Sequence, residues 1–471
     1  MTTSANESVT ALLPELVLVV AAVMGLLAGS FLPRRRQGVV RAGAVVAVVA
    51  AGVLSAIALG RPAELVYSGT YAVDPGLGAV RLVVLAATAL TLLLASDAIG
   101  GDRRETEVVV LVLLAALGTI VLAGADDLLV LAAGFLLTSL PLYALTGFTH
   151  TRRSTEAALK QYLLGALAGV LLLVGVALLL GAGGGTDYPT LATGLPGAAR
   201  ITVVFGVVAL IAGLLFELGA VPLHFWVPDV TQAASTPVAA FTSTVPKLGA
   251  ALALYRLLDV PLSGTGQDWT LLVAVLAAAS MTLGNLAAFA QDDVRRLLGY
   301  SAISQVGYLL MAVAVAGRAE LALSSLLLYL AAYAVTNLGA FAVVAALPHA
   351  RTLTDFRGLA RTQPWLGGAL VVCLLGLVGT PPTAVFAGKL SVFTAAADGG
   401  LAWLVVLAAV NTVASLFYYL RWLAPAVRGG GEVHTVAPWA RTAAVTAAAA
   451  SLALGVLAGP ALALIHGPLL R

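Results

Sequence analysis

Cysteine is nearly absent: Cys373 is the only one in 471 residues. A lone thiol rules out an internal disulfide and any cysteine cage for zinc or an iron–sulfur cluster. Charge is scarce as well, at 10% Asp, Glu, Lys and Arg against 61% hydrophobic residues, a balance that a water-soluble domain does not show. Lysine is reduced to Lys160, Lys247 and Lys389, and the formal net charge of +3 comes from arginines placed between apolar runs, not from a basic face. No nucleic-acid partner is expected from that distribution. The glycine run Gly181 to Gly185 lacks a following Lys-Ser or Lys-Thr, so it reads as a loop and not as a phosphate cradle.

What the chain does have is apolar length. A bilayer span needs about 20 apolar residues. About fourteen such runs are centred near residues 21, 49, 87, 115, 138, 170, 211, 248, 280, 308, 335, 380, 412 and 452. Residues 1–471 therefore read as one integral membrane domain in a lipid bilayer. The first run, Ala11 to Leu32, follows a segment without Lys or Arg and ends at Arg34, Arg35 and Arg36, the reverse of a secretory signal's charge order. It is expected to stay in the mature chain with its N-terminus outside. Alternate loops then gather most arginines on the cytoplasmic side, among them Arg103, Arg152, Arg295, Arg357, Arg421 and Arg441, leaving Arg61, Arg81, Arg200, Arg256, Arg318 and Arg471 outside. A missed span would invert every later loop, so this asymmetry supports the count and puts both termini on the extracytoplasmic face.

Two of the three lysines fall inside spans, where an ammonium ion costs at least about 2.5 to 3.5 kcal/mol at a helix centre. Lys247 follows Thr242, Ser243 and Pro246, so a hydroxyl four residues back lies on its helical face. Lys389 follows Gly379, Pro381 and Pro382, which must interrupt a helix within the membrane. Glu217 is the matching acid, in a span interrupted by Pro222 and Pro228. Pro-interrupted charged spans, one in each half, are the pattern of pseudo-repeated transporters with a polar site near the midplane. Water exclusion disfavours the charged forms of both ammonium and carboxylate, which makes Glu217, Lys247 and Lys389 candidates for proton exchange. Polar stripes at helical spacing accompany them: Ser301, Ser304, Gln305 and Tyr308 on one span, and Tyr329, Tyr333, Thr336 and Asn337 on the next.

Each of these features has a plainer reading. Glu217 and Lys247 fit a static ion pair as well as a relay. His224 fits a proton relay or a hydrogen bond to a carbonyl freed by Pro222 or Pro228. The polar stripes fit helix packing or a pathway. Glu156 and Lys160, at i and i+4, read as a surface pair, and Asp126 and Asp127 as interfacial structural residues.

The segment Phe216 to Asp229, Lys247, the run Asp293 to Tyr308 and Gly388-Lys389 together resemble the antiporter-like, proton-translocating membrane subunits of respiratory complex I, with subunit N of NADH-quinone oxidoreductase as the nearest pattern. The resemblance extends from about residue 10 to residue 465. It implies an all-α fold of fourteen transmembrane helices. Residues 10–97 would hold helices 1 to 3, 108–258 and 270–424 two inverted five-helix repeats (helices 4 to 8 and 9 to 13), and 440–465 the last helix, with helices 7 and 12 broken. It also implies a proton channel with its central lysine at Lys247 and its exit-side lysine at Lys389, supported by Ser243, Ser304, Gln305, Tyr308 and Asn337. Partners would be other complex I membrane subunits and, through them, a peripheral arm in a bacterial plasma membrane. NAD, FMN, iron–sulfur clusters and quinone would lie in those partners, and none in this chain.

Three positions depart from the family pattern. Leu136 stands where a helix-5 glutamate is usual, Glu217 where a helix-7 lysine is usual, and Gln305 where a helix-10 histidine is frequent. Either Glu217 serves as a replacement protonatable site beside Lys247, or the chain is a non-pumping structural section of the membrane arm. A large subunit of a multisubunit cation/proton antiporter is the third reading, since those subunits share the fold.

Overall fold

The computed structural model describes residues 8–429, 435–464 and 469–470. The extreme ends of the chain, with Ile465 and Arg471, lie outside the described residues, and the expectation for the termini falls partly on them. In chain order the helices are α1 (Leu13–Phe31), α2 (Gly38–Ala58), α3 (Pro75–Ile99), α4 (Glu105–Gly124), α5 (Leu128–Gly147), α6 (Arg152–Gly183) and α7 (Tyr188–Gly194). Next come α8 (Arg200–Leu218), α9 (Trp226–Ala233), α10 (Thr236–Asp259), α11 (Trp269–Phe289), α12 (Val294–Ala314) and α13 (Ala322–Ala346). The chain closes with α14 (Leu359–Thr362), α15 (Pro364–Val378), α16 (Ala384–Asp398), α17 (Ala402–Val427), α18 (Pro438–Val456) and α19 (Ala458–Leu464).

Thirteen of these segments are long and apolar enough to cross a membrane. A fourteenth crossing is divided between α15 and α16, each of 15 residues, on either side of residue 380, where the apolar run was centred. The seventh is divided between α8 and α9. Both divisions occur where expected, because Gly219 and Gly379 turn into the left-handed region (φ +68° and +93°) and prolines follow each of them. Each break also contains a cis X–Pro bond, at Val221-Pro222 and at Pro381-Pro382.

Burial sorts the spans. The apolar window of α10 is 100% buried, that of α12 94% and that of α13 89%, so these three make the centre, whereas α1, α2, α6 and α17 bury about a third of theirs. Leu163, Val406 and other apolar side chains of the outer spans are exposed, as lipid contact requires.

Two features differ from the sequence reading. A short antiparallel hairpin, β1 (Glu64–Val66) with β2 (Tyr71–Val73), interrupts the all-α pattern between α2 and α3. Arg81 and Arg256, expected as loop arginines, are buried within α3 and α10. The Arg81 guanidinium lies 2.6 Å from Glu15, whose carboxylate also accepts from the Tyr71 hydroxyl at 2.9 Å. Arg256 lies 2.8 Å from Asp74. A carboxylate beside each arginine compensates the burial that composition alone argued against. Gly181 to Gly183 belong to the last turn of α6, and the loop begins only at Gly184 (φ +82°).

Candidate functional site: two helix breaks and the polar row between them

At the first break, α8 stops at Leu218 because Gly219 leaves the helical region, and the Leu218 carbonyl is freed inside the bundle. The Lys247 ammonium, on fully buried α10, donates to that carbonyl. Glycine at 219 is what admits it: a Cβ there would stand 2.9 Å from Lys247 Nζ. Ser243, expected as the hydroxyl partner of Lys247, does not serve it. Its Oγ donates to Ala240 O at 3.1 Å and accepts from Asn337 at 3.2 Å. The carbonyl released by the break is the better-placed acceptor, a contact that spacing along α10 could not reveal.

Glu217, 2% exposed, accepts a hydrogen bond from Ser139 Oγ at 2.7 Å through Oε2, while Oε1 has no partner among the described residues. Glu217 and Lys247 lie in each other's electrostatic field, yet no ion pair within 4.0 Å joins them among the described residues. Leu136, in the position of the usual helix-5 acid, is 42% exposed on the outside of α5, one turn from Ser139. His224 is buried in the loop between α8 and α9, with its ring 4.4 Å from that of Phe225 and in reach of the Pro222 backbone, while Nδ1 makes no well-formed hydrogen bond among the described residues. Trp226 steadies the break by donating to Phe216 O at 3.2 Å, and Ser280 does so by accepting from Val221 N at 3.0 Å.

The second break repeats the device. Lys389, on α16, donates to Val378 O at 2.9 Å, the last residue of α15, and to Thr412 Oγ1 at 3.3 Å. Its ammonium also lies 4.0 Å from the ring centre of Tyr308, a cation–π contact that offsets part of its desolvation.

Between the breaks, α13 carries a buried row at i, i+4 and i+8. Asn337 donates to Ser243 at 3.2 Å and to Thr244 at 2.8 Å, Tyr333 donates to Ser243 O at 2.7 Å, and Tyr329 donates to Gln305 Oε1. Gln305 continues to Leu377 O at 2.8 Å, next to the carbonyl that Lys389 holds. Tyr308 ends the row at Thr412, 3.0 Å away. Two stripe residues point elsewhere. Thr336 faces Ser451 of α18 at 2.8 Å, and Ser301 pairs with the Tyr419 hydroxyl of α17, while Ser304 is buried where the α12 backbone approaches Gly284 of α11. Ser139 and Thr412 escaped the sequence reading, since an isolated hydroxyl in an apolar span is usual and only its cross-helix neighbour marks it. Glu156 and Lys160 form the expected exposed pair at 2.8 Å, extended by Asp229 to Arg296.

Residues 125–415, which span both breaks, match the family described as "NADH:quinone oxidoreductase/Mrp antiporter, TM". The chain is 54% identical to NADH-quinone oxidoreductase subunit N 1 of Streptomyces griseus subsp. griseus, covering 97% of both proteins. The chain belongs to the subunit N family of NADH-quinone oxidoreductase. Subunit N of Mycobacterium sp. is 51% identical over 95% of this chain and 96% of that protein. A chain of respiratory complex I from Thermus thermophilus, solved with bound aureothin, superposes with a TM-score of 0.83 at 35% identity, covering 97% of this chain and 100% of that one. As a subunit N family member, the chain is an antiporter-like, multi-pass membrane subunit.

Proposed function

We propose that the chain conducts protons across a bacterial plasma membrane as subunit N of a complex I, driven by quinone reduction in partner subunits. The observation that carries this reading is the pairing of each buried lysine with a carbonyl freed by a helix break, with the buried polar side chains Ser243, Asn337, Tyr333, Tyr329 and Gln305 lying between the two sites. A lysine held by one neutral carbonyl is not locked by a counter-ion, so its proton is available to a neighbour. Lys247 and Lys389 are the proton-holding groups, Glu217 modulates Lys247 through its field, and His224 is a relay at the first break. Ser243, Ser304, Gln305, Tyr308 and Asn337 line the route.

In this reading helices 4 to 8 and 9 to 13 are inverted repeats, and both termini and the β1–β2 hairpin face the extracytoplasmic side. NAD, FMN, iron–sulfur clusters and quinone belong to partner chains. The absence of a Glu217–Lys247 contact among the described residues argues against the locked pair on which the non-pumping reading rested. The 54% identity to a protein named subunit N argues for complex I over a cation/proton antiporter. Mild-detergent purification from native membranes is expected to recover redox subunits with this chain. Lys247→Ala in that complex is expected to lower protons moved per electron while quinone reduction continues. Unchanged proton yield with a less stable complex would instead favour a structural role.

A further inference from the structure

At the hairpin end, the first half holds a buried acid–base cluster that the row between the lysines does not use. Asp74 caps α3, accepting from Leu77 N at 2.9 Å. Arg256, in the last turn of α10, is fully buried 2.8 Å from the Asp74 carboxylate. Asp126 is fixed by its backbone: its N–H donates to Thr70 O at 3.0 Å, and its carbonyl accepts from Tyr188 N at 3.0 Å. The hairpin and helices α3, α5, α7 and α10 thus converge on one point.

The polar ends of this cluster are incomplete. Asp126 Oδ1, the Tyr188 hydroxyl, and Nε, Nη1 and Nη2 of Arg256 make no well-formed hydrogen bond among the described residues, although all three side chains are at least 98% buried. A guanidinium presents five N–H donors, and leaving them dry costs more than one carboxylate contact returns. Internal water is the usual partner of such groups. On the outer side of Asp74 a cavity of about 20 Å³ lies between exposed Arg61 and Pro62 and buried Asp74 and Arg81, without reaching Asp126, Tyr188 or Arg256. That is room for a single water.

We propose that Asp74, Asp126, Tyr188 and Arg256 enclose internal water and form with it a second proton-exchange site at the hairpin end, Asp74 being the member that borders the cavity. Asp126 Oδ1 is the group that takes a proton from an adjacent protonated water and returns it, with no electron transferred. Burial pushes the Asp126 carboxyl up to about 6; Arg256 opposes the rise, and Asp74, Asp187 and Asp127 add to it. With Tyr188, these are the titratable and charged groups that face it. Lys247 lies about 14 Å from Arg256 along α10, nine residues at 1.5 Å each. Between them α10 packs closely against α4, where at Gly249 a Cβ would stand 2.2 Å from Thr119 O.

The exchange role rests on the proton-conducting reading above; the water itself does not. High-resolution cryo-electron microscopy of the intact complex should show ordered water within hydrogen-bond distance of Asp126 Oδ1, the Tyr188 hydroxyl and Arg256. Direct protein contacts with no water between them overturn the proposal. In the same complex reconstituted into vesicles, the proton yield per electron should fall as the hairpin-side compartment is acidified through about 6. Asp126→Asn should lose that dependence while keeping uncoupled quinone reduction, and Asp126→Glu should restore it. Wild-type complex without the dependence, or Asp126→Asn retaining it, refutes the exchange role. Tyr188→Phe, which leaves the charge unchanged, should lose one ordered water and covers the case in which Asp126→Asn fails to assemble. A wild-type preparation with no quinone reductase activity would overturn the functional reading and the exchange role with it, and the water observation would then decide only whether the cluster holds internal water.

Discussion

The two lysines occupy similar helix breaks but reach their carbonyls by different routes. Lys247 crosses from α10 to Leu218 on α8, 29 residues away, whereas Lys389 turns back to Val378, 11 residues away in the same broken span. Sliding α10 against α8 would break the first contact while every helix stayed intact. The second belongs to one span and moves with it. Their surroundings differ in the same sense: Glu217 puts an acid in the field of Lys247, while Lys389 has the Tyr308 ring and Thr412. The first half is therefore built to respond to relative helix position, and the second to hold a fixed post.

The strongest test of that contrast is to remove each lysine and then both. Lys247→Ala and Lys389→Ala should each lower the proton yield per electron, measured in vesicles. If the row through Tyr333 and Gln305 is one conductor, the double variant should lose no more than the worse single variant. Additive losses would mean two separate paths.

A steric test comes next. Gly249→Leu places side-chain atoms against the Thr119 carbonyl of α4, where even a Cβ would stand at 2.2 Å. It should displace α10, cost about 1 to 3 kcal/mol of stability and impair the Lys247 half. Gly455→Leu meets Pro382 O at a Cβ distance of 2.0 Å but displaces α18, which bears neither Lys389 nor Val378. Its stability cost should be similar, with the Lys389 contact retained in a structure of the variant.

A smaller effect is expected from pH. The Asp126 carboxyl is raised from 3.8 to about 6, so the folded chain holds a proton there that the unfolded chain releases across that window. Stability therefore falls as pH rises from about 4 to about 6, and the penalty is complete above that range. Asp126→Asn should raise the thermal midpoint at pH 8 by the equivalent of about 3 kcal/mol, with a smaller gain at pH 5. The smallest effect belongs to Ser139→Ala, which removes the one donor that Glu217 has among the described residues and should cost about 1 kcal/mol. It should alter the pH profile of the proton yield through Lys247 and leave the Lys389 contact unchanged.

The sequence carried the span count, because length and hydropathy fix a bilayer crossing almost without tertiary information. It also carried both breaks, since glycine followed by prolines cannot continue a helix. What escaped it required knowing which helices touch. The partner of Lys247 is a backbone carbonyl on another span, and carbonyls have no sequence signature. Ser139 and Thr412 look like any hydroxyl in an apolar helix until Glu217 and Lys389 are placed beside them. Arg81 and Arg256 were assigned to loops because their carboxylates, Glu15 and Asp74, lie far away in sequence. Thr336 fitted the stripe by spacing but sits on the flank of α13 that faces α18, a rotation too small for periodicity to resolve.

The last long helix has a bearing on how the protein is made. The N-terminal turn of α18 is capped by Asp97 of α3, which accepts from Ala440 N at 2.9 Å across 343 residues of chain. Farther along, Ser451 meets Thr336, and Gly455 lies against the Pro382 backbone at the second break. During synthesis, these polar groups and the opened helix wait without their covers until the final span has emerged from the ribosome and entered the membrane. A message truncated just before Pro438 would thus yield a chain with every other crossing in place and its second break facing lipid, a substrate for membrane proteases and not a shortened working subunit.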